Sequence, residues 1–307
     1  MAQSDPSPEI SSPVHPTIAV VGPGAIGTTV AAALHEVGRT PRLYGRTARD
    51  ELELEDARGT LVVPGPVETD PAAVPGPVDL VFLAVKSTQN EAAAPWLAAL
   101  CRPDTVVCVL QNGVEQEEIV SPLVPGSTVL PAVVWFPAEA RPDGSVWLRG
   151  KARLSVPATD GGRLVADVLR DTLCAVELAE DFTSVAWRKL VQNAFAGLMV
   201  LTGRRSGMFR RDDIAEMSLA YLRECVEVAR AEGAVLDEGV PQEVLTNFQA
   251  HPTDLGTSIL ADRVAGRPLE WDIRNGVVQR RGRARGIPTP ISDLLVPLLA
   301  AASDGPG

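Results

Sequence analysis

The chain has 307 residues, 45% of them hydrophobic and 22% charged, with a formal net charge of −11; it is long for one hydrophobic core, comfortable for two domains and ordinary for a globular protein. The acidic surplus leaves no basic excess to replace phosphate counterions, which argues against nucleic acid. No apolar stretch approaches the roughly 20 residues of a bilayer span, which argues against a membrane partner.

The segment 1–16, rich in Ser and Pro and free of Lys and Arg, predicts a disordered leader. From Thr17 to about Pro137, strand-length apolar runs alternate with helical patterns. The runs Thr17–Val21, Pro41–Tyr44, Thr60–Val63, Leu80–Val85, Thr105–Leu110 and Val129–Phe136 show little polar alternation, as expected of strands covered on both faces. Ile26–Val37 and Asn90–Leu100 read as helices between them. This order predicts an α/β fold that opens with a Rossmann-type doubly wound parallel sheet.

Farther on, Ser145–Leu148 and Ala152–Val156 predict an antiparallel pair, Gly162–Leu173 a helix and Cys174–Leu178 a strand. Beyond Asp181 the character changes. Ser184–Leu201, Asp213–Glu232 and Leu269–Gly286 all read as helices, so an all-helical C-terminal domain is expected. The boundary falls near Ala179–Phe182, which divides the chain into 17–180 and 181–303. Cys101, Cys108, Cys174 and Cys225 lack metal-ligand spacing and only three histidines are present, so no metal site is expected. Four thiols suit a reducing cytoplasm, the expected location.

Gly22-Pro23-Gly24-Ala25-Ile26-Gly27 follows the first strand directly and opens the first helix. Gly22 permits a tight turn, Gly24 lets backbone approach a pyrophosphate, and Gly27 lets the helix pack closely on the strand. The helix N-terminus adds unpaired N–H groups and partial positive charge. FAD and S-adenosylmethionine proteins share the pattern, so the loop alone does not name the cofactor. At the end of the second strand stand Tyr44-Gly45-Arg46-Thr47, where an NAD site usually carries a carboxylate. Arg46 can fork onto a 2′-phosphate, which points to NADP; the alternative is a solvated surface arginine. Lys86 and Asn112 end two further strands; either is a loop residue with no duty or a site residue, and both pointing into the crevice that the glycine loop borders favours the second.

Lys189 and Asn193 lie at i and i+4 and so share one face of a helix. A lysine there is either a snorkelling surface residue or a functional amine. Ser258, then Glu270-Trp271-Asp272, then Asn275-Gly276 and Gly286-Ile-Pro-Thr-Pro290 follow. With these blocks in hand, the chain from Thr17 to about Leu299 resembles the ketopantoate reductases (2-dehydropantoate 2-reductases). The resemblance rests on the glycine loop, the Ala84-Val85-Lys86 and Gln111-Asn112-Gly113 strand ends, the Trp187–Asn193 helix and the Ser258 to Pro290 block.

The resemblance implies a reductase of a 2-keto acid that uses NADPH. It makes Lys189 the proton donor, and Asn193 and Ser258 substrate-binding residues, Ser258 near the carboxylate. Asn112 would touch both cofactor and substrate, and Lys86 and Glu270 would line the cofactor and the cleft. Glu270 is then expected to orient Lys189 and keep it charged. Helical domains of such reductases pair, so a homodimer is expected. One position departs: Gly197 stands where the family commonly has a second Asn, one turn beyond Asn193. That predicts a larger pocket and keeps a different 2-keto acid or an imine open as substrate. A non-catalytic NADP-binding regulator is the alternative from another class.

Overall fold

Ile18–Val21, Leu80–Leu83 and Val106–Val109 are four-residue apolar runs, buried at every position. Strands with no polar face must be covered on both sides, and these form the middle of a six-stranded parallel sheet. The computed structural model describes residues 16–305; the leader expected over 1–16 lies, apart from Pro16, outside the described residues. Across the sheet the strands run Val67–Glu68, Arg42–Tyr44, Ile18–Val21, Leu80–Leu83, Val106–Val109, Thr128–Pro131. The order is third, second, first, fourth, fifth, sixth, so it reverses between Ile18–Val21 and Leu80–Leu83, the switch point at which such sheets bind ligands.

Alternate residues of each strand serve opposite faces. Ile18, Val20, Leu80 and Phe82 pack with Val30 and Leu34 of the helix Ala25–Glu36. Ala19, Val21, Val81 and Leu83 pack with Trp96 and Leu97 of the helix Asn90–Leu100. The doubly wound arrangement is therefore present.

The strands differ from the sequence reading in four details. The run Thr60–Val63 is a strand, Gly59–Pro64, but it pairs antiparallel with Glu51–Asp56 in a separate four-stranded sheet. The third strand of the parallel sheet is instead Val67–Glu68, whose two residues carry no period to read. The run Val129–Phe136 divides at Ala132: Thr128–Pro131 stays in the parallel sheet, while Val133–Val134 joins a third sheet. The expected antiparallel pair does not form either. Val146–Leu148 pairs with Ala138–Ala140 and Glu51–Asp56, whereas Ala152–Pro157 pairs with Cys174–Ala179 and Val133–Val134. Val146–Leu148 takes the hairpin partner before it, and Ala152–Pro157 takes strands on either side that are more distant in the chain.

From Phe182 onward the regular elements are helical. Asp181 caps the helix Phe182–Phe195 by accepting from the Ser184 N–H at 3.1 Å. The expected helix Ser184–Leu201 breaks at Ala196 into Phe182–Phe195 and Gly197–Thr202. The expected helix Leu269–Gly286 begins later, as a π-helical turn Asp272–Gly276 that leads into Val277–Arg285. Trp187, Leu190, Phe195, Phe209, Tyr221 and Phe248 anchor this second core. No helix among the described residues is long and apolar enough to cross a membrane. The four cysteines are free thiols.

Candidate active site

The glycine loop is built by close approach. Gly22 takes φ of +88°, and a β-carbon on it would stand 2.5 Å from Val85 Cγ1. One on Gly27 would stand 2.4 Å from the Gly22 carbonyl oxygen. Gly24 is the opposite case: nothing lies within 4 Å of its β-carbon position, so its backbone faces open space at the N-terminus of the 12-residue helix Ala25–Glu36. No side chain caps that terminus. Unpartnered first-turn N–H groups behind an open glycine face suit a phosphate, so the loop fits a dinucleotide.

Gly45 packs against this loop, its β-carbon position 3.0 Å from Pro23 Cδ. Arg46, next in the chain, is exposed. The strand pairing also places Glu68 beside Tyr44, a carboxylate the sequence reading missed at this sheet end. Glu68 Oε1 is engaged locally, accepting from the N–H groups of Thr69 at 2.8 Å and Asp70 at 3.0 Å.

On the far side of the switch point, strand ends and helical segments meet in one chain of hydrogen bonds. Asn193 Nδ2 donates to Asn112 Oδ1 at 3.1 Å, and Asn112 Nδ2 donates to Glu270 Oε2 at 3.1 Å. Arg274 Nη2 donates to Glu270 Oε2 at 3.3 Å and to Ser258 Oγ at 3.2 Å. Ser87 adds its N–H and its hydroxyl to Glu270 Oε1, each at 3.3 Å. Asn112 owes its position to a braced loop: Gln116 Nε2 donates to the carbonyls of Gln111 at 3.0 Å and Gly113 at 2.9 Å. The structure thus brings Asn112, Asn193, Ser258 and Glu270 together.

Lys189 projects from the same helix face as Asn193, and its ammonium lies 4.9 Å from the centroid of the Trp135 ring. Trp135 is itself fixed by donating from Nε1 to Ser155 Oγ at 2.9 Å. Burial lowers Lys189 from 10.5 to about 8, and the positive charges of Arg274 and Arg153 act in the same direction. The expected pairing of Lys189 with Glu270 is not what forms. The carboxylate is occupied by Ser87, Asn112 and Arg274 instead.

Lys86 stands apart from this chain and forms an ion pair with buried Asp262, which also takes Arg267 Nε at 2.9 Å. Arg46 stands apart as well, at the nucleotide end. Gly197 does not open a pocket. It is buried, and its β-carbon position is 2.8 Å from Asn275 Nδ2. That nitrogen donates to the Ala194 carbonyl at 2.8 Å and to the Tyr221 hydroxyl at 2.9 Å, so the amide of Asn275 is wedged where the sequence reading placed substrate. Two surface hollows of about 390 and 310 Å³, one by Phe248 and His251 and one by Pro41 and Pro66, are lined by none of Lys86, Asn112, Lys189, Asn193, Ser258 and Glu270, although Tyr44 and Glu68 border the second.

Sequence reasoning missed Arg274 and Trp135. An arginine four residues after Glu270 reads as one half of a surface pair, and only its burial shows otherwise.

The comparisons with known proteins decide the family. The profile of ketopantoate reductase PanE/ApbA matches residues 18–161, and that of its C-terminal part matches residues 181–303. The chain belongs to the ketopantoate reductase family. It is an oxidoreductase of that family. A 2-dehydropantoate 2-reductase of Mycobacterium tuberculosis is 59% identical over 291 residues, covering 94% of this chain and 99% of the relative. One of Caulobacter vibrioides is 36% identical over 288 residues, covering 94% and 99%. Among solved structures, a dimeric ketopantoate reductase of Staphylococcus aureus superposes with a TM-score of 0.86 at 26% identity, covering 95% of this chain and all of that one. In this ketopantoate reductase family member, the strand ends and the helical segments each supply part of one polar site.

Proposed function

We propose that the protein is an NADPH-dependent reductase of 2-keto acids that converts 2-dehydropantoate to pantoate in the cytoplasm. The observation that carries this reading is the continuous chain Asn193–Asn112–Glu270–Arg274–Ser258 beside a half-buried, weakly basic lysine. The substrate is that named for the M. tuberculosis relative. A different substrate would draw on space at Gly197, and Asn275 fills that space. Residues 17–180 are proposed as the cofactor-binding unit and 181–303 as the substrate unit. A homodimer is proposed by analogy with the S. aureus enzyme.

The roles follow from chemistry. Gly22, Pro23, Gly24, Ala25, Ile26 and Gly27 hold the pyrophosphate through the open Gly24 face and the helix N-terminus. Exposed Arg46 takes the 2′-phosphate of NADP, and Lys86 lines the cofactor side. When bound, the nicotinamide supplies a hydride to the keto carbon. The growing charge on the keto oxygen then needs a cation and a proton in a site with little water. Lys189 Nζ provides both as general acid, and its lowered pKa makes release of the proton easier at neutral pH. Asn112 and Asn193 orient the substrate, with Ser258 at its carboxylate end. Glu270 acts through Asn112, which it holds in place.

The test is steady-state oxidation of NADPH against a panel of 2-keto acids. The reading expects 2-dehydropantoate to give the highest kcat/KM. Binding of NADPH without turnover of any keto acid contradicts it.

A further inference from the structure

Arg274 is 3% exposed and sits on the π-helical turn Asp272–Gly276, a local distortion often found at functional sites. A guanidinium carries five N–H donors and stays charged. Among the described residues this one uses few of them. Nη2 makes two long contacts, to Ser258 Oγ at 3.2 Å and Glu270 Oε2 at 3.3 Å, and Nε is buried with no hydrogen-bond partner. Its counter-charge is divided as well, because Glu270 also accepts from Ser87 and Asn112. A buried cation with a spare donor is costly unless something else satisfies it.

Two observations locate what that something is. Ser258, whose hydroxyl accepts from the guanidinium, is an exposed residue, so buried Arg274 lies just behind the solvent-facing side of the site. Asn193, one helical turn from Lys189, is joined to Arg274 through Asn112 and Glu270, so the guanidinium and the ammonium border one site. A ligand that satisfies both must present an anionic, planar acceptor at one end and a basic oxygen at the other. A 2-oxo acid has that shape.

We propose that Arg274 is the specificity-determining anchor for the substrate carboxylate, its fork engaging both carboxylate oxygens while Ser258 adds one neutral donor. The inference rests on the reading of Lys189 as proton donor to a 2-oxo acid. It gives Glu270 a second task, to hold the guanidinium flat against Ser258. An ammonium at 274 lacks the fork and cannot reproduce it. The competing role is structural, an ion pair that only braces the turn.

The experiment compares a 2-oxo acid with its primary amide, as substrates or competitive inhibitors, in the wild-type protein, Arg274→Gln and Arg274→Lys. The two ligands differ only in charge at the carboxyl end. Loss of a charge-assisted, forked contact is expected to weaken the acid by about 100-fold in Arg274→Gln. The amide is expected to change by less than about threefold, so discrimination collapses to near parity. Arg274→Lys, which keeps the charge, is expected to fall between, and it supplies the comparison if the Gln variant does not fold. NADPH affinity, read by fluorescence titration, is expected to stay at the wild-type value. Equal weakening of acid and amide, or unchanged discrimination, overturns the assignment and leaves Arg274 a structural brace. If the wild-type protein binds NADPH but reduces no 2-oxo acid, the functional reading fails first and the anchor fails with it.

Discussion

The ammonium of Lys189 faces the ring of Trp135 at 4.9 Å from its centroid, where a carboxylate was expected. A ring face attracts a cation but accepts no proton and carries no full charge. Desolvation therefore dominates, and the amine titrates at about 8. A general acid works only while protonated, so kcat/KM for reduction is expected to hold below about pH 8 and fall roughly tenfold per unit above it. A pH–rate profile checks this. In Arg274→Gln one of the nearby positive charges is gone, so the falling limb is expected to move to higher pH. A limb that stays put, or a profile flat to pH 10 (roughly the ordinary lysine range), argues against Lys189 as the titrating acid.

Asn112 joins the two halves of the site, accepting from Asn193 and donating to Glu270. Replacing it with Ala leaves the Asn193 amide and one lobe of Glu270 without that partner. Loss of such contacts costs about 1–3 kcal/mol, so Asn112→Ala is expected to raise KM for the keto acid by roughly 5- to 150-fold. Steady-state kinetics at saturating NADPH measures it; an unchanged KM removes Asn112 from the substrate's surroundings.

Gly197 is held against the amide of Asn275, with a β-carbon position 2.8 Å from Nδ2. That nitrogen already serves Ala194 and Tyr221, so it cannot simply swing away. Gly197→Ala is expected to cost about 1–3 kcal/mol through overpacking. Thermal unfolding should show a fall of several degrees in Tm, on the order of 2–4 °C per kcal/mol for a chain of this size. A variant as stable as the parent indicates that the space is substrate pocket after all.

Arg46 is expected to set nucleotide choice. With Arg46→Ala, the KM for NADPH should rise about 10- to 100-fold, the scale of a lost charge-assisted contact. The KM for NADH should not move, because that nucleotide has no 2′-phosphate. Equal changes for both, or none, return Arg46 to the role of a solvated surface residue.

Much of the architecture was legible because burial on both faces leaves a plain mark. Ile18–Val21, Leu80–Leu83 and Val106–Val109 are apolar throughout and sit side by side. Val67–Glu68 was not legible, since two residues show no alternation. Lys189 and Asn193 could be paired from their spacing alone, because a helix puts i and i+4 on one face. Partnerships across the fold could not. Glu270 is claimed by Ser87 and Asn112, both distant in sequence, and that leaves Lys189 to Trp135. Gly197 misled for the same reason: a missing side chain reads as empty space until the residue that fills it, Asn275, is located.

The most direct test is single-turnover and steady-state reduction of 2-dehydropantoate by Lys189→Ala, with NADPH affinity measured on the same preparation. The general-acid role predicts a fall in kcat of about 10²- to 10⁴-fold, with NADPH binding close to that of the parent. Near-normal kcat in that variant contradicts the mechanism.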